Sequence, residues 1–254
     1  MSDELLDIAL AAARDAGDLL LSRAGAPVSG LDSKTSRTDL VSDTDRDAEA
    51  LVIATIRAAR PGDAIVAEEG GGGEGASGVT WVVDPLDGTI NFLWGIPQWS
   101  VSIAARDADG ALVGVVHDPS RGETFRARRG HGAWLGDAPL RIRAGPPLAE
   151  ALVGTGFQYR AQERARQAER LTRVLPAVRD VRRFGSAALD LSWVAAGRLD
   201  GYYETGLNPW DWAAGELIVR EAGGVVERFE GSGLIAAGPD LIRPLRDLVE
   251  AAGA

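Results

Sequence analysis

One hexapeptide combines acidic side chains with turn-forming residues at the end of an apolar run. The run Thr80 to Val83 reads as a buried strand, and the six residues that follow are Asp84-Pro85-Leu86-Asp87-Gly88-Thr89. Open α/β sheets bind ligands at the carboxyl ends of their strands. Because Pro85 fixes φ and favours a turn, the Asp84 and Asp87 carboxylates can point to one side. With the Leu86 carbonyl beside them, the hexapeptide predicts oxygen ligands for a cation.

The same segment also offers groups that bind an anion. Gly88 and Thr89 are predicted to begin a short helix, whose first N–H groups have no intrahelical partner. An ordinary turn is the alternative, because Asp-Pro and Asp-Gly are among the commonest turn-forming pairs. Glu68 favours a cation site: it ends the predicted strand Ala64 to Ala67, and adjacent parallel strands lie about 4.8 Å apart. Neither acidic segment contains Lys or Arg, so the clustered carboxylates need a cation.

A second candidate site residue is Asp211, in the segment Asn208-Pro209-Trp210-Asp211-Trp212-Ala213-Ala214-Gly215. Asp211 stands at the start of a periodic helix. One interpretation is a simple N-terminal cap, worth about 1 kcal/mol. Capping does not explain the two flanking tryptophans or the small residues that follow, so a functional role stays open beside it.

Alternating helices and strands must position these residues. Helices are predicted over residues 2–23, 43–60, 162–175, 186–196, 211–221 and 240–252. Strands are predicted over 64–67, 80–83, 99–106, 111–117, 123–128, a segment ending at 154, 181–184, 200–204 and 225–228, of which 99–128 form an antiparallel meander. The glycine run at 70–73 is interpreted as a flexible loop. The pattern predicts a layered α/β fold in one unit, 1–254, with approximate halves 1–145 and 146–254.

Composition excludes several kinds of chemistry. The 254 residues include no cysteine, which rules out disulfides, a thiolate nucleophile, Cys-ligated zinc and iron–sulfur clusters. The net charge of −10 argues against nucleic-acid binding and favours a cation-assisted site. The acidic opening residues lack signal-peptide features, and no apolar run approaches the roughly 20 residues that span a bilayer. We expect a cytoplasmic protein without a membrane partner.

Two long segments resemble the signatures of the inositol monophosphatase family. They are Trp81-Val82-Val83-Asp84-Pro85-Leu86-Asp87-Gly88-Thr89-Ile90-Asn91-Phe92 and Trp210-Asp211-Trp212-Ala213-Ala214-Gly215. The resemblance continues in Asp39 to Asp45, in Glu68-Glu69, and from Gly185-Ser186-Ala187-Ala188 to Tyr202-Tyr203-Glu204. Within the family, the segments Asp190 to Glu204 and Asn208 to Gly215 look most like those of bacterial inositol-1-monophosphatases. Ala67, where many members have glycine, is one of few departures.

The resemblance implies an αβαβα sandwich of the sugar-phosphatase type, with an antiparallel meander sheet and a second mixed sheet. It also implies two or three Mg²⁺ ions, held by Glu68, Asp84, the Leu86 carbonyl, Asp87 and Asp211. Asp45 and Thr89, with Glu68, would activate the attacking water. Substrate contacts would come from Lys34, Leu86, Asp87, Gly88, Thr89, Arg182, Ser186, Ala187, Glu204 and Asp211.

Some of these assignments have ordinary alternatives. Lys34 is expected to contact phosphate or a third metal, or else simply to be solvated. Arg182 is expected at the substrate, at a dimer interface, or on the surface as a strand-end arginine. His117 and His131, the only histidines, are interpreted as structural or surface residues, because a cation can activate water without them.

The function implied by the resemblance is hydrolysis of inositol 1-phosphate to inositol and phosphate. Alternatives are the same chemistry on histidinol phosphate, fructose 1,6-bisphosphate or 3′-phosphoadenosine 5′-phosphate, a non-catalytic regulator that binds a partner, and a divalent-cation storage protein. A small phosphorylated polyol is the expected partner. The resemblance further implies a homodimer and inhibition by lithium.

Overall fold

A computed structural model of the chain describes residues 2–26, 30–34 and 40–253. Residues 35–39 lie outside the described residues; they include most of the polar stretch after Lys34 and the first residue of the family-like segment Asp39 to Asp45.

Seven α-helices form in the described part of the chain. They are α1 Ser2–Arg23, α2 Asp43–Ala59, α3 Thr89–Leu93, α4 Ala161–Val174, α5 Ala187–Ala195, α6 Pro209–Glu221 and α7 Ile242–Gly253. The charges of α1 suit its dipole, with Asp3 and Glu4 in the first turn and Arg23 in the last. Ser42 caps α2, and Pro61-Gly62 follows its end, so the helix predicted over 43–60 is confirmed to within one residue.

The strands form a large sheet, a smaller sheet and a short pair within the described ranges. They are β1 Asp32–Ser33, β2 Leu40–Val41, β3 Ala64–Ala67, β4 Thr80–Asp87, β5 Ser100–Asp107, β6 Gly110–Asp118, β7 Glu123–Arg128, β8 Gly132–Leu135, β9 Ala138–Pro139, β10 Leu152–Thr155, β11 Asp180–Arg182, β12 Gly201–Glu204, β13 Val225–Phe229 and β14 Gly233–Ala237. The large sheet runs from β3 to β9 in chain order, and the smaller one has the order β11-β10-β12-β14-β13. Among the described strands of the large sheet, only β3 and β4 pair in parallel, and β5, β6 and β7 form the predicted antiparallel meander.

Helices and sheets alternate in five layers. Helices α1 and α2 pack on one face of the large sheet, and α5 and α6 lie between the two sheets. Helices α4 and α7 cover the outer face of the smaller sheet. Three apolar cores fill the gaps between layers. The core that includes Trp81 lies between α1, α2 and the large sheet, and the core that includes Val249 lies under α4 and α7. The core that includes Leu191 extends from the large sheet through α5 and α6 to the smaller sheet. The predicted αβαβα sandwich is confirmed.

Some elements of the fold differ from the sequence prediction. Strand β14 was not predicted; it lies between β12 and β13, so its five residues are all buried and show no apolar–polar alternation. The short strands β8 and β9 were also not predicted. The glycine run is less free than expected, because Gly73 and Ile65 exchange two backbone hydrogen bonds of 2.8 and 2.9 Å. Among the described residues, no helix is long and apolar enough to cross a membrane.

Candidate active site

Strand β4 carries the two acids of the hexapeptide to its carboxyl end. It continues past Val83 to Asp87, and its pairing with β5 shifts register between Asp84 and Asp87, where Pro85 has no N–H to donate. Asp84 is 2% exposed, and its Oδ1 accepts the Leu86 amide at 3.0 Å. Burial raises the pKa of Asp84 well above its ordinary value, and the charges of Glu68, Asp87 and Asp211 raise it further.

Asp87 lies against the first residues of α5. Its Oδ2 accepts the Ser186 hydroxyl at 2.6 Å and the Ala188 amide at 2.8 Å, while Oδ1 accepts the Ala187 amide at 3.3 Å. Burial raises the pKa of Asp87 to about 7, although the Ser186 and Ala188 hydrogen bonds oppose the shift. Ser186 and Ala187, predicted to bind substrate, therefore contact the Asp87 carboxylate.

Glu68 stands beside β4, where its amide donates to the Val83 carbonyl at 3.2 Å. The Lys34 ammonium donates to Glu68 Oε1 at 2.8 Å and also contacts the Glu69 carboxylate. Burial acts to lower the pKa of Lys34, but the charges and hydrogen bonds of the two glutamates outweigh it and raise the pKa. Neither acidic segment contains a basic residue of its own, as the sequence shows, but Lys34 reaches the two glutamates from a distant loop.

Asp211 is the third helical residue of α6. Its Oδ2 accepts the Asn208 amide at 2.6 Å, so it is part of a capping box, and it also lines the cleft. Desolvation raises its pKa well above the ordinary value; the Asn208 bond opposes this, and the charges of Asp87, Glu68 and Glu204 add to it. Capping and a place among the other acids, which the sequence left as alternatives, thus occur together.

Asp45 and Thr89 meet at the edge of the cleft. The Thr89 hydroxyl lies 3.0 Å from Asp45 Oδ1 and 3.1 Å from the Leu86 carbonyl. Asp45 Oδ2 accepts the Ser42 amide at 2.9 Å and the Ser42 hydroxyl at 2.5 Å. Asp45 is 1% exposed and contacts the cleft through Thr89, the first residue of α3. Gly88 precedes it with φ 100°, a left-handed conformation that favours glycine.

Glu204 contributes a further acid from the end of β12. Its carboxylate accepts a hydrogen bond from the Tyr202 hydroxyl. Desolvation raises the pKa of Glu204, while the Tyr202 hydrogen bond and the Arg183 charge oppose the shift. A side chain at Gly156 would collide with the Glu204 carboxylate, so the glycine leaves room for it.

Arg182 is not brought to this cleft. It pairs with Asp180 at 2.6 Å and lies outside the cleft lining, whereas its neighbour Arg183 lines the cleft beside the Phe157 carbonyl. Successive residues of an extended segment point to opposite sides, so Arg183 faces the cleft and Arg182 takes the strand-end position that was its alternative interpretation. The Arg182-Arg183 pair carried the signal, but the sequence did not show which of the two faces inward.

The acids surround one open cleft of about 1030 Å³. Predicted site residues that line it are Lys34, Glu68, Asp84, Leu86, Asp87, Gly88, Thr89, Ala187, Glu204 and Asp211. The cleft continues along α4, past Gln167 and Arg173, to the end of α7. It is therefore a polar pocket with an acidic cluster at the carboxyl end of β4 and several arginines along α4.

The sequence signature of the inositol monophosphatase family matches residues 1–252. The chain belongs to this family. It is 46% identical to an inositol-1-monophosphatase of Mycobacterium bovis over 236 residues, covering 87% of this chain and 81% of that protein. It is 42% identical over 250 residues to an Escherichia coli protein named Nus factor SuhB, covering 95% of this chain and 94% of that protein.

A solved structure supports the same family assignment. The extragenic suppressor protein suhB from Bartonella henselae is 37% identical and superposes with a TM-score of 0.90, covering 97% of this chain and 98% of that one. This chain therefore shares its layered fold with that homologue over almost the whole length of both chains.

The donor set fits the metal dependence of the family. The candidate ligands are carboxylates and one carbonyl, and oxygen ligands of these kinds are the ones that Mg²⁺ prefers. Within residues 2–26, 30–34 and 40–253, however, no three acidic or histidine side chains stand ready-made at ligand geometry. Three of the acids have partners within the chain: Asp87 accepts from Ser186, Asp211 from Asn208 and Glu68 from Lys34.

Proposed function

We propose that this chain is a Mg²⁺-dependent phosphatase that hydrolyses small phosphate monoesters. The observation that carries the proposal is the concentration of Asp84, Asp87, Asp211 and Glu68 around one cleft, where burial and the charges of neighbouring acids raise the pKa values of the three aspartates. Such repulsion is relieved by a divalent cation. Phosphoryl transfer depends chiefly on positioning and charge neutralisation, so this cleft suits it.

Two or three Mg²⁺ ions would be held by Glu68, Asp84, the Leu86 carbonyl, Asp87 and Asp211. When bound, the ions would neutralise phosphate charge and lower the pKa of bound water. The hydrogen bonds of Asp87 to the start of α5 hold its carboxylate in one orientation before an ion arrives, which reduces the ordering that binding requires.

Asp45 and Thr89 are proposed to handle the proton of the attacking water. The Thr89 hydroxyl donates to Asp45, which leaves the Thr89 oxygen able to accept a hydrogen bond from water. Proton transfer through the hydroxyl would end on Asp45, the general base. The Gly88 and Thr89 amides would bond phosphate oxygens, while Glu68 would contribute both a ligand and an acceptor for the water.

Inositol 1-phosphate is the proposed substrate. The Glu204 carboxylate, held by Tyr202, would accept a hydrogen bond from a hydroxyl of the polyol, and Arg183 would lie near the same part of the substrate. The name of the Mycobacterium bovis relative supports this choice. The alternatives with the same chemistry are histidinol phosphate, fructose 1,6-bisphosphate and 3′-phosphoadenosine 5′-phosphate.

A phosphate-release assay on these four compounds tests both levels of the proposal. We expect release that requires Mg²⁺, is fastest on inositol 1-phosphate, and is abolished by Asp87→Asn without loss of the fold. Faster release from another of the four would change the substrate. Undiminished release by Asp87→Asn, or release in EDTA, would overturn the metal assignment.

A non-catalytic binding role is the second candidate, and the name Nus factor SuhB of the Escherichia coli relative favours it. It predicts a folded protein that binds Mg²⁺ but releases phosphate from none of the four compounds. A homodimer, lithium inhibition of turnover and a cytoplasmic location remain predictions; light scattering and inhibition by LiCl test the first two.

A further inference from the structure

Glu49 is a buried acid that no step of the proposed reaction uses. It lies on α2, is 3% exposed, and directs both carboxylate oxygens to the segment that follows Glu68. Its Oε2 accepts the Glu69 amide at 2.7 Å, and its Oε1 accepts the Gly71 amide at 2.7 Å. Hydrogen bonds from backbone amides to a carboxylate are charge-assisted and stronger than neutral ones. The turn after Glu68 is therefore tied to α2 at two points.

The glycine run is shaped for this contact. A Cβ at Gly71 would stand 2.6 Å from Glu49 Oε1 and 2.8 Å from the Ile53 side chain, so any larger residue would displace the carboxylate or the loop. A Cβ at Gly73 would approach only the end of the flexible Arg57 side chain, at 2.7 Å. Of these two glycines, Gly71 is the one required by Glu49.

The same face of α2 carries Asp45, one helical turn before Glu49, because residues four apart lie above one another on a helix. Asp45 holds the Thr89 hydroxyl, and Glu49 holds the amide of the residue after Glu68. The other side of Glu68 is fixed to β4 by its bond to the Val83 carbonyl. Helix α2 thus sets the spacing between the proposed base and a proposed metal ligand.

We propose that Glu49 is a positioning residue that holds the Glu68 segment in place for metal binding, an inference that rests on the proposed function. Glu49 touches neither the cleft nor the ion. It acts through the Glu69 and Gly71 amides, as an outer partner that orients a ligand. Loss of such partners typically lowers metal affinity about 10- to 100-fold.

The test compares Glu49→Gln with Asp63→Asn. Glutamine keeps the size of the Glu49 side chain, but its NH₂ group would face one of the two backbone amides that now donate to the carboxylate. Asp63 is a matched buried acid, 2% exposed, that accepts the Trp81 indole N–H at 2.9 Å beyond the other end of α2. For each variant we measure the Mg²⁺ concentration for half-maximal turnover, and the rise in thermal midpoint that Mg²⁺ produces over EDTA.

We expect Glu49→Gln to raise the half-maximal Mg²⁺ concentration about tenfold or more and to reduce the Mg²⁺-dependent rise in midpoint. Asp63→Asn should lower the midpoint in EDTA while leaving both Mg²⁺ responses at the wild-type level. Wild-type Mg²⁺ responses in Glu49→Gln would overturn the positioning role. No Mg²⁺ response in the unaltered protein would instead overturn the proposed function, and this inference with it.

If Glu49→Gln does not fold, two glycine variants decide the same question. Gly71→Ala should weaken the Mg²⁺ response because its methyl group displaces Glu49, whereas Gly73→Ala should not. Equal Mg²⁺ responses in these two variants would contradict the proposal.

Discussion

Two helices begin with the same local structure and give their acids different surroundings. Asp45 in α2 and Asp211 in α6 are both third helical residues, and each accepts the amide of its cap residue, Ser42 or Asn208. The other carboxylate oxygen of Asp45 accepts a hydrogen bond from the Thr89 hydroxyl, and Asp45 is 1% exposed. Asp211 instead lines the cleft, where other acids raise its pKa.

The difference shows how one capping motif can serve two chemical roles. A capping box fixes the rotamer of its acid without any contact from the substrate. What the acid does is then decided by its next neighbour. A hydroxyl at Asp45 suits proton transfer, whereas a cluster of carboxylates at Asp211 suits a cation.

Among the variants that compare these two capping acids, Asp211→Asn is expected to have the largest effect. Asparagine keeps an oxygen that can accept the Asn208 amide, so the cap survives while one negative charge is lost. We expect turnover to fall by a factor on the order of 10² to 10³, and the thermal midpoint in EDTA to rise because repulsion among the acids decreases. Turnover near the wild-type rate would show that Asp211 only caps α6.

Asp45→Asn should separate the two acids by their metal dependence. We expect kcat to fall about 100-fold, because general-base catalysis is lost, with the half-maximal Mg²⁺ concentration unchanged. Thr89→Ser should retain most of the activity, since it keeps the hydroxyl, and Thr89→Ala should resemble Asp45→Asn. A large rise in the Mg²⁺ requirement of Asp45→Asn would make Asp45 a ligand and remove the contrast with Asp211.

The metal-free protein should lose stability as pH rises. The folded-state pKa of Asp87 is about 7, against an ordinary value of 3.8, so between these values the folded state binds more protons than the unfolded state. The free energy of unfolding therefore decreases with rising pH across this window. Urea unfolding in EDTA at pH 5.5 and at pH 8 measures this difference in the free energy of unfolding. For Asp211→Asn we expect a smaller decrease between the two pH values. Equal stability at both pH values would contradict the clustering of charged acids.

The smallest effect is expected at the cap of α2. Ser42→Ala removes the hydroxyl that donates to Asp45 but keeps the backbone amide contact, and should lower the free energy of unfolding by about 1 kcal/mol. Turnover should change by only a few-fold, because Thr89 still holds Asp45. Ser22→Ala on α1, where the hydroxyl bonds only the exposed Leu19 carbonyl, is the control. A loss of turnover as large as that of Asp45→Asn would mean that Ser42 has a chemical role.

The sequence predicted the parts of the site that depend on local chain geometry. The strand at Ala64 to Ala67, the hexapeptide after Val83 and the helix after Asn208 each contain their own turn, cap or apolar pattern. Strands β3 and β4 pair in parallel with Ala67 opposite Val83, and this pairing brings Glu68 beside β4 as expected. The fold class followed from the same alternation of helices and strands.

Contacts between distant segments were beyond the same reasoning. Lys34 reaches Glu68 across 34 positions, and Glu49 reaches Gly71 across 22, so neither contact leaves a local pattern. The glycine run was interpreted as a flexible loop because glycine also marks flexible segments, whereas here Gly71 makes room for a carboxylate. Arg183 was missed because alternation along an extended segment predicts only that Arg182 and Arg183 point to opposite sides, and does not say which of them faces the cleft.

The most direct test is a crystal of the protein soaked with Mn²⁺ and inorganic phosphate, measured for anomalous scattering. The account predicts peaks between Glu68, Asp84, Asp87 and Asp211, with Lys34 withdrawn from Glu68 and phosphate near the Gly88 and Thr89 amides. Lys34 still bonded to Glu68, with no anomalous peak among the four acids, would contradict it.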